Sequence, residues 1–308
     1  MSALTASGSQ QPEAALRRRR PATRRGAGPG PARAGAHVLM IACLLYFLVP
    51  LAWLFLSATK TNSQLFSSFG LWFGHGFHLG SNITALFRYQ GGIFWRWLVN
   101  TFIYSAVSAV AGSLLSAAGG YAFARYRFRG RSLLFGVVLG TIMVPSTVLV
   151  IPTYLLFSKA GLTDTPFAVI LPTLVNPFGL YLMRVYAEQS VPAELLDSAR
   201  MDGAGEFRIF RRIAFRLMTP GFVTVLLFAF VATWNNYFLP LVMLSTPSYY
   251  PVTVGLANMN AQASAGGGAQ LLVTVVIAGA LIAIVPLIVA FLFLQRYWRG
   301  GLAVGSLR

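Results

Sequence analysis

Ser190-Val-Pro-Ala-Glu-Leu-Leu-Asp-Ser-Ala-Arg-Met-Asp-Gly-Ala-Gly-Glu-Phe-Arg-Ile-Phe-Arg-Arg-Ile213 is the one polar island in the hydrophobic later part of the chain. Five of the seven acidic residues, Glu188, Glu194, Asp197, Asp202 and Glu206, fall in or beside it, interleaved with Arg200, Arg208, Arg211 and Arg212. A charge cluster that dense, between two apolar runs, reads as a surface for a partner. Its local chemistry describes two short helices. Ser190 and Pro192 supply a start signal, and Glu194 lies in the first turn, where a carboxylate complements the helix dipole. Leu195, Leu196 and Ala199 supply an apolar face. Gly203 can take the positive φ of a turn at no steric cost. Beyond it, Phe207, Phe210, Ala214 and Leu217 repeat at three and four residues, with Arg208, Arg211 and Arg212 opposite. On these features alone an ordinary solvated loop is the competing reading, so the flanks have to be read with it.

Those flanks belong to a membrane protein. Of 308 residues 56% are hydrophobic and 10% charged, against about 25% charged in ordinary soluble domains, and the mean hydropathy is +0.67. The net charge of +17 comes from basic residues scattered in short clusters between apolar runs. A nucleic-acid domain would gather them on one face, so nucleic acid is not the implied partner. Cys43 is the single cysteine and lies in an apolar run; it reads as a packing residue and leaves no internal disulfide or multi-cysteine metal site.

Crossing the hydrocarbon core takes about twenty apolar residues as a helix, because no water is there to satisfy the backbone. Six segments reach that length, at roughly 38–57, 98–122, 133–157, 166–186, 219–242 and 271–294. Pro145, Pro152, Pro172, Pro177, Pro240 and Pro286 punctuate them, and prolines in membrane bundles bend helices around a pathway. Residues 1–36, rich in Ala, Gly, Pro and Arg, read as a disordered basic cytoplasmic tail, and 37–308 as the membrane domain. The tail and the run Val38–Ser57 also resemble a signal peptide. That run exceeds an h-region of about 7–15 residues and ends without a small-x-small site, so a retained first helix is expected. Arginines cluster in the tail, in Arg125–Arg131, in 187–218 and at Arg296, Arg299 and Arg308, and alternate with the arginine-poor segments 58–97, 158–165 and 243–270. The positive-inside rule then puts both termini and the opening stretch in the cytoplasm.

Smaller signals are less pointed. Phe94-Trp-Arg-Trp97 before the second helix suits either a headgroup anchor or docking of an external partner. Asn82-Ile-Thr84 matches a glycosylation sequon by chance, and Ala265-Gly-Gly-Gly-Ala269 looks like flexible linker. No Gly-x-x-x-x-Gly-Lys-Ser/Thr exists, and Lys60 and Lys159 are the only lysines, so the chain is not its own P-loop ATPase. Gly74-His-Gly76 lacks the strand and later acid of a dinucleotide site. His37, His75 and His78 form no metal set, and no nucleophilic triad is visible.

A resemblance narrows the reading. Asp197-Ser198-Ala199, then Gly203 three residues on and Ile213 after nine more, resembles the cytoplasmic signature loop of ABC importer permeases, Glu-Ala-Ala, three residues, Gly, nine residues, Ile-x-Leu-Pro. Val-Pro-Ala-Glu-Leu with Met-Asp-Gly-Ala is similar to the maltose-type permeases of the carbohydrate uptake family. The similarity runs through most of 98–308, including Asn100-Thr101, Tyr121-Ala-Phe-Ala-Arg125, Gly161-Leu-Thr-Asp-Thr165 and Trp234-Asn-Asn-Tyr237. It fits the second, shorter permease of the pair. Two departures stand out: Asp-Ser-Ala replaces Glu-Ala-Ala but keeps the acid and the small last residue. Phe215-Arg216 replaces Leu-Pro, restoring a backbone N–H, and leaves open how rigidly the hairpin joins the fifth helix.

The resemblance implies an all-α membrane permease subunit in the bacterial cytoplasmic membrane, with six spans and a helix-turn-helix between the fourth and fifth. It is a non-catalytic subunit: ATP and Mg sit on two partner ATPases, and this chain binds no cofactor. A second permease and an external solute-binding protein complete the assembly. Glu194, Asp197, Ser198, Ala199, Asp202, Gly203, Ala204 and Phe207 would couple it to the ATPase, and nucleotide-driven closure would switch the pathway between its two faces. The alternative, an ion-coupled carrier or other non-ABC membrane protein, would carry intramembrane carboxylates and an internal repeat; neither is evident. A pathway of hydroxyls, amides and aromatics suits an uncharged solute such as a sugar. Its candidates are Asn176, Tyr181, Trp234, Asn235, Asn236 and Tyr237, with a hydrogen bond between helices the equal alternative for Asn235 and Asn236.

Overall fold

The computed structural model describes residues 31–265 and 272–302, and every regular element among them is helical. Residues up to Pro50 and those from Leu51 onward form separate units. The first unit is the opening part of α1 (Pro31–Ala58). Proline suits a first helical position, where its missing N–H has no partner to lose. The helix therefore starts inside the stretch 1–36 read as a tail. Residues 1–30 lie outside the described residues, as do 266–271, which include most of the expected linker, and the last six of the chain.

Five helical segments are long and apolar enough to cross a membrane: Gly35–Ala58, Ile93–Arg125, Pro166–Ser190, Glu206–Trp234 and Val273–Gln295. The expected third span, 133–157, is different. It forms two pieces, α5 (Arg131–Ile142) and α6 (Val150–Lys159), separated by turns around Pro145, whose carbonyl accepts the Val148 N–H at 3.0 Å. At 1.5 Å per residue the pieces are about 18 and 15 Å long, and neither alone crosses a core of about 30 Å. The Pro166–Ser190 segment also has an internal joint, between α7 (Pro166–Leu174) and α8 (Pro177–Ser190). The residue before a proline is pushed out of the helical region, and Asn176 obeys at φ −122° and ψ 85°, its side chain capping α8 by accepting the Gly179 N–H.

The central element is α4 (Ile93–Arg125), which buries Ser105, Ser108, Ala109, Gly112, Ser113, Ser116, Ala117 and Gly120. Residues that small, three or four apart, let helices approach closely where lipid offers no hydrophobic drive. A Cβ on Gly120 would lie 2.6 Å from the Arg184 backbone nitrogen in α8. Where α7 follows the same stripe, the Ser108 and Thr173 hydroxyls hydrogen-bond at 2.7 Å.

The segment between α1 and α4 contains α2 (Asn62–Ser67) and α3 (Leu79–Arg88) and is firmly held. Thr61 and Gln64 form a reciprocal capping box. Lys60 is fully buried and donates from Nζ to the Phe69 carbonyl at 2.8 Å. Asn82, the sequon residue, is buried and donates its amide to the Ala58 and Lys60 carbonyls, which removes it as a glycosylation acceptor. The Phe94-Trp-Arg-Trp97 run divides: Phe94 and Trp97 belong to a core cluster with Leu86, Val252 and Met259, and Trp95 remains exposed.

On that side of the fold α4 also clamps the 3-10 turn Pro247–Tyr249 through three side chains. Trp97 donates to the Pro247 carbonyl, Asn100 to those of Ser248 and Tyr250, and Tyr104 to that of Tyr249. The same loop is tied to the α6–α7 turn by Asp164, the one described acid outside the charged stretch. Its carboxylate accepts the Ser245 and Thr246 amides, each at 2.8 Å, and the Thr246 hydroxyl at 2.6 Å. Asp164 has φ +56°, a left-handed conformation that aspartate tolerates better than most residues. After the short α12 (Phe238–Met243) and this loop, the chain runs through α13 (Val252–Ser264) to α14 (Val273–Leu302).

Candidate functional site

The charged stretch folds as two helices. The first, α9 (Ala193–Met201), follows Pro192 directly, and the second begins at α10 (Glu206–Ile209). Between them Gly203 sits at φ +78°. Its N–H bonds to the Arg200 carbonyl and the Ala204 N–H to the Ala199 carbonyl, each at 3.0 Å. That pair is a Schellman ending, which needs a left-handed residue where Gly203 stands. Space does not explain the glycine, because a Cβ there would meet nothing within 4 Å.

Beyond α10, the chain forms a π turn at Phe210–Ala214 and continues as α11 (Phe215–Trp234). Glu206–Trp234 is thus one unbroken helical segment, and Arg216, with its N–H available, lets the hairpin run into the span without the interruption a proline would bring. The π turn also corrects the expected apolar face. A five-residue hydrogen-bonded turn brings Ile209 and Ala214 onto one side, and Met218 follows. All three are fully buried with Leu196, Ala199, Met183, Ala187, Val191 and Tyr121. The apolar face expected at Phe207, Phe210, Ala214 and Leu217 is thereby split: Ala214 is buried and Phe210 half-buried, whereas Leu217 and the coupling candidate Phe207 are exposed, Phe207 by 75%.

The eight coupling residues therefore divide. Ala199 packs inward and Ala204 is half-buried, whereas Glu194, Asp197, Ser198, Asp202, Gly203 and Phe207 are exposed. Leu195 and Met201 join Phe207 as exposed apolar side chains on the hairpin. Its charges are ordered from within: Arg200 bridges Asp197 and Glu206, both at 2.7 Å. Those hydrogen bonds, to Glu206 first and Asp197 second, raise the already high pKa of the guanidinium further.

Residues outside the stretch hold it. Tyr126, just past α4, donates its phenol to Glu206 at 2.8 Å. Burial first, and that bond second, push the Tyr126 pKa up. The Arg125 Nη2 sits over the end of α8, donating to the carbonyls of Ala187 at 2.9 Å, Glu188 at 3.2 Å and Val191. Neither residue was among the sequence candidates. The available signal was an Arg-Tyr pair ending a long apolar helix in a chain whose acids lie almost entirely in one loop.

The pathway candidates are not gathered in one place. Trp234, Asn235 and Tyr237 line a cleft of about 360 Å³ together with Thr253, Leu256 and Ala283. The Trp234 indole donates to the Ala283 carbonyl of α14 at 3.1 Å, and Asn235 Nδ2 to the Val231 carbonyl of its own helix. Asn236 offers its backbone carbonyl to the Thr253 hydroxyl. Asn176 is spent on its helix cap, and Tyr181 stacks on Phe135, whose ring lies 3.7 Å from the Arg184 guanidinium carbon.

Membrane-length apolar helices packed on a stripe of small residues, with a charged helical hairpin continuous with one of them, define a multi-helix membrane protein. Residues 109–299 match the family described as binding-protein-dependent transport system inner membrane component. The chain belongs to that family. It is 35% identical over 270 residues to the arabinooligosaccharides transport system permease protein AraQ of Bacillus subtilis, covering 87% of this chain and 93% of the relative. It is 30% identical over 273 residues to the lactose transport system permease protein LacG of Rhizobium radiobacter, covering 88% and 94%. Among solved structures, a chain of a bacterial ABC transporter involved in the import of the acidic polysaccharide alginate superposes with a TM-score of 0.75 at 25% identity, covering 86% of this chain and 95% of that one.

Proposed function

We propose that this chain is one permease subunit of an ATP-driven, binding-protein-dependent importer of carbohydrates, and that the hairpin at 187–218 is its contact with an ATPase. The observation that carries the reading is the division of the hairpin into a locked inner side and an exposed outer one bearing Leu195, Met201 and Phe207 among Glu194, Asp197 and Asp202. Apolar side chains filling a partner's cleft, with charges around them fixing register, is how such contacts usually divide their work. Ala199, Gly203 and Ala204 act behind that surface by shaping the turn, and Ser198 contributes to its rim.

Both termini and the hairpin lie in the cytoplasm in this reading, and α5 with α6 completes the count of six spans as a broken pair. A second permease, two ATPases that hold the ATP and Mg, and an external solute-binding protein complete the assembly; this chain holds no cofactor. The names of AraQ and LacG favour an oligosaccharide or disaccharide as the solute, and the absence of acids from the five apolar spans beyond their cytoplasmic ends suits an uncharged one. The substrate contact is assigned to Trp234, Asn235 and Tyr237 at their cleft, and Asn176, Tyr181 and Asn236 to positioning the helices around it.

The test is co-purification of the tagged chain with its ATPase from native membranes, followed by uptake of labelled arabinose trimer, lactose and trehalose into vesicles. Phe207→Asp should abolish both ATPase recovery and ATP-driven uptake while the chain still inserts. Full recovery of the ATPase with that variant would remove the hairpin as the docking surface.

A further inference from the structure

Besides its packed inner side, the hairpin makes polar contacts with two adjacent residues at the end of α4. Arg125 holds the root of its first arm. The last four carbonyls of any helix lack partners within it and carry partial negative charge. For α8 these are Ala187 to Ser190, and the Arg125 Nη2 donates to two of them and to the Val191 carbonyl beyond. Val191 itself is fully buried. Tyr126 holds the start of the second arm through Glu206, which Arg200 of the first arm grips at the same time. The Tyr126 ring is fixed in turn, edge-on to Tyr121, and Tyr121 packs on Phe210 of the π turn. Toward its other end, about 30–40 Å away along a helix rising 1.5 Å per residue, the same α4 clamps the Pro247–Tyr249 loop through Trp97, Asn100 and Tyr104.

We propose that Arg125 and Tyr126 form the joint that makes the hairpin and α4 move as one body, so that displacement of the hairpin reaches the Pro247–Tyr249 loop along α4. Both are positioning residues, and the proposal rests on the hairpin being the ATPase contact. The three carbonyls share the two N–H groups of Arg125 Nη2, and a Lys ammonium keeps the charge and brings three N–H donors to one point, so Lys is the replacement that retains the interaction. Gln cannot supply that charge, and Tyr126→Phe removes only the bond to Glu206.

The experiment is a distance measurement by pulsed electron resonance in the complete transporter, with spin labels at Ser198→Cys on the hairpin and Leu115→Cys on α4 in a Cys43→Ser background. The joint predicts one narrow 115–198 distance, the same without nucleotide and with ATP and vanadate. Arg125→Gln and Tyr126→Phe should each lose the single narrow peak, and Arg125→Lys should restore it. Unchanged distributions in both Arg125→Gln and Tyr126→Phe would overturn the joint, as would loss in Arg125→Lys equal to that in Arg125→Gln. Failure of the docking reading is separable: a Phe207→Asp chain that still co-purifies with the ATPase removes that reading, whatever the 115–198 distance does.

Discussion

Two glycines with opposite reasons for being glycine separate conformational need from spatial need. Gly203 has open space around its missing side chain but a φ of +78°. Gly255 is buried in α13, and a Cβ there would lie 2.2 Å from the Trp97 ring. That ring is held by its own bond to the Pro247 carbonyl at 2.9 Å and cannot swing aside. Gly203→Ala should therefore cost only the left-handed penalty, about 1–2 kcal/mol, seen as a small drop in thermal midpoint with the chain still inserted. Gly255→Ala should cost at least the upper end of the usual overpacking range of about 1–3 kcal/mol, seen as a much larger fall in midpoint and in yield from the membrane. Equal midpoints for the two variants would refute this separation.

At the scale of elements, the π turn at Phe210–Ala214 decides which side of the hairpin is outside. It inserts one residue into the helical count, so Ile209 and Ala214 share the buried side although five residues separate them. Deleting Arg211, whose side chain is exposed, should convert the turn to ordinary helix. Because one residue corresponds to about 100° of rotation, either the α10 end turns Phe207 inward or α11 turns its Met218 side out. The expected outcome is loss of ATPase co-purification with helical content by circular dichroism unchanged. A deletion variant that binds the ATPase normally would show that the surface tolerates rotation and that the π turn does not set it. This is also where sequence reading stopped. Gly203, the helix start near Pro192 and the charged character of the hairpin are legible because capping and turn chemistry are local. The split of the face, with Ala214 and Phe210 at the core and Phe207 and Leu217 outside, is not legible, because periodicity assumes a constant 3.6 residues per turn and nothing local marks where that fails.

At the scale of the whole molecule, the same division between local and non-local causes holds. Membrane helices follow from length and hydropathy, so five were legible. The expected third span, 133–157, is instead two shorter helices because Pro145 falls where the chain turns between α5 and α6, and a count of apolar residues does not register a turn. Arg125, Tyr126 and Asp164 were not legible as structural residues because each acts on a segment more than sixty residues distant in sequence. Asp164 gives that long-range tie a pH signature. Partial desolvation works to raise its pKa, but the Thr246 hydroxyl and the Thr246 and Ser245 amides outweigh it and hold the carboxyl below its ordinary 3.8. On acidification the unfolded chain then binds the proton before the folded one does. The tie contributes fully above pH of about 4, and its contribution is lost as pH falls through the lower folded value. Thermal midpoints of the detergent-solubilised wild type should accordingly fall below about pH 4 more steeply than those of Asp164→Asn. The variant retains a residue that tolerates φ +56° and has no carboxyl to titrate. Parallel pH profiles for the two chains would show that the carboxylate at 164 does not bind these two loops together.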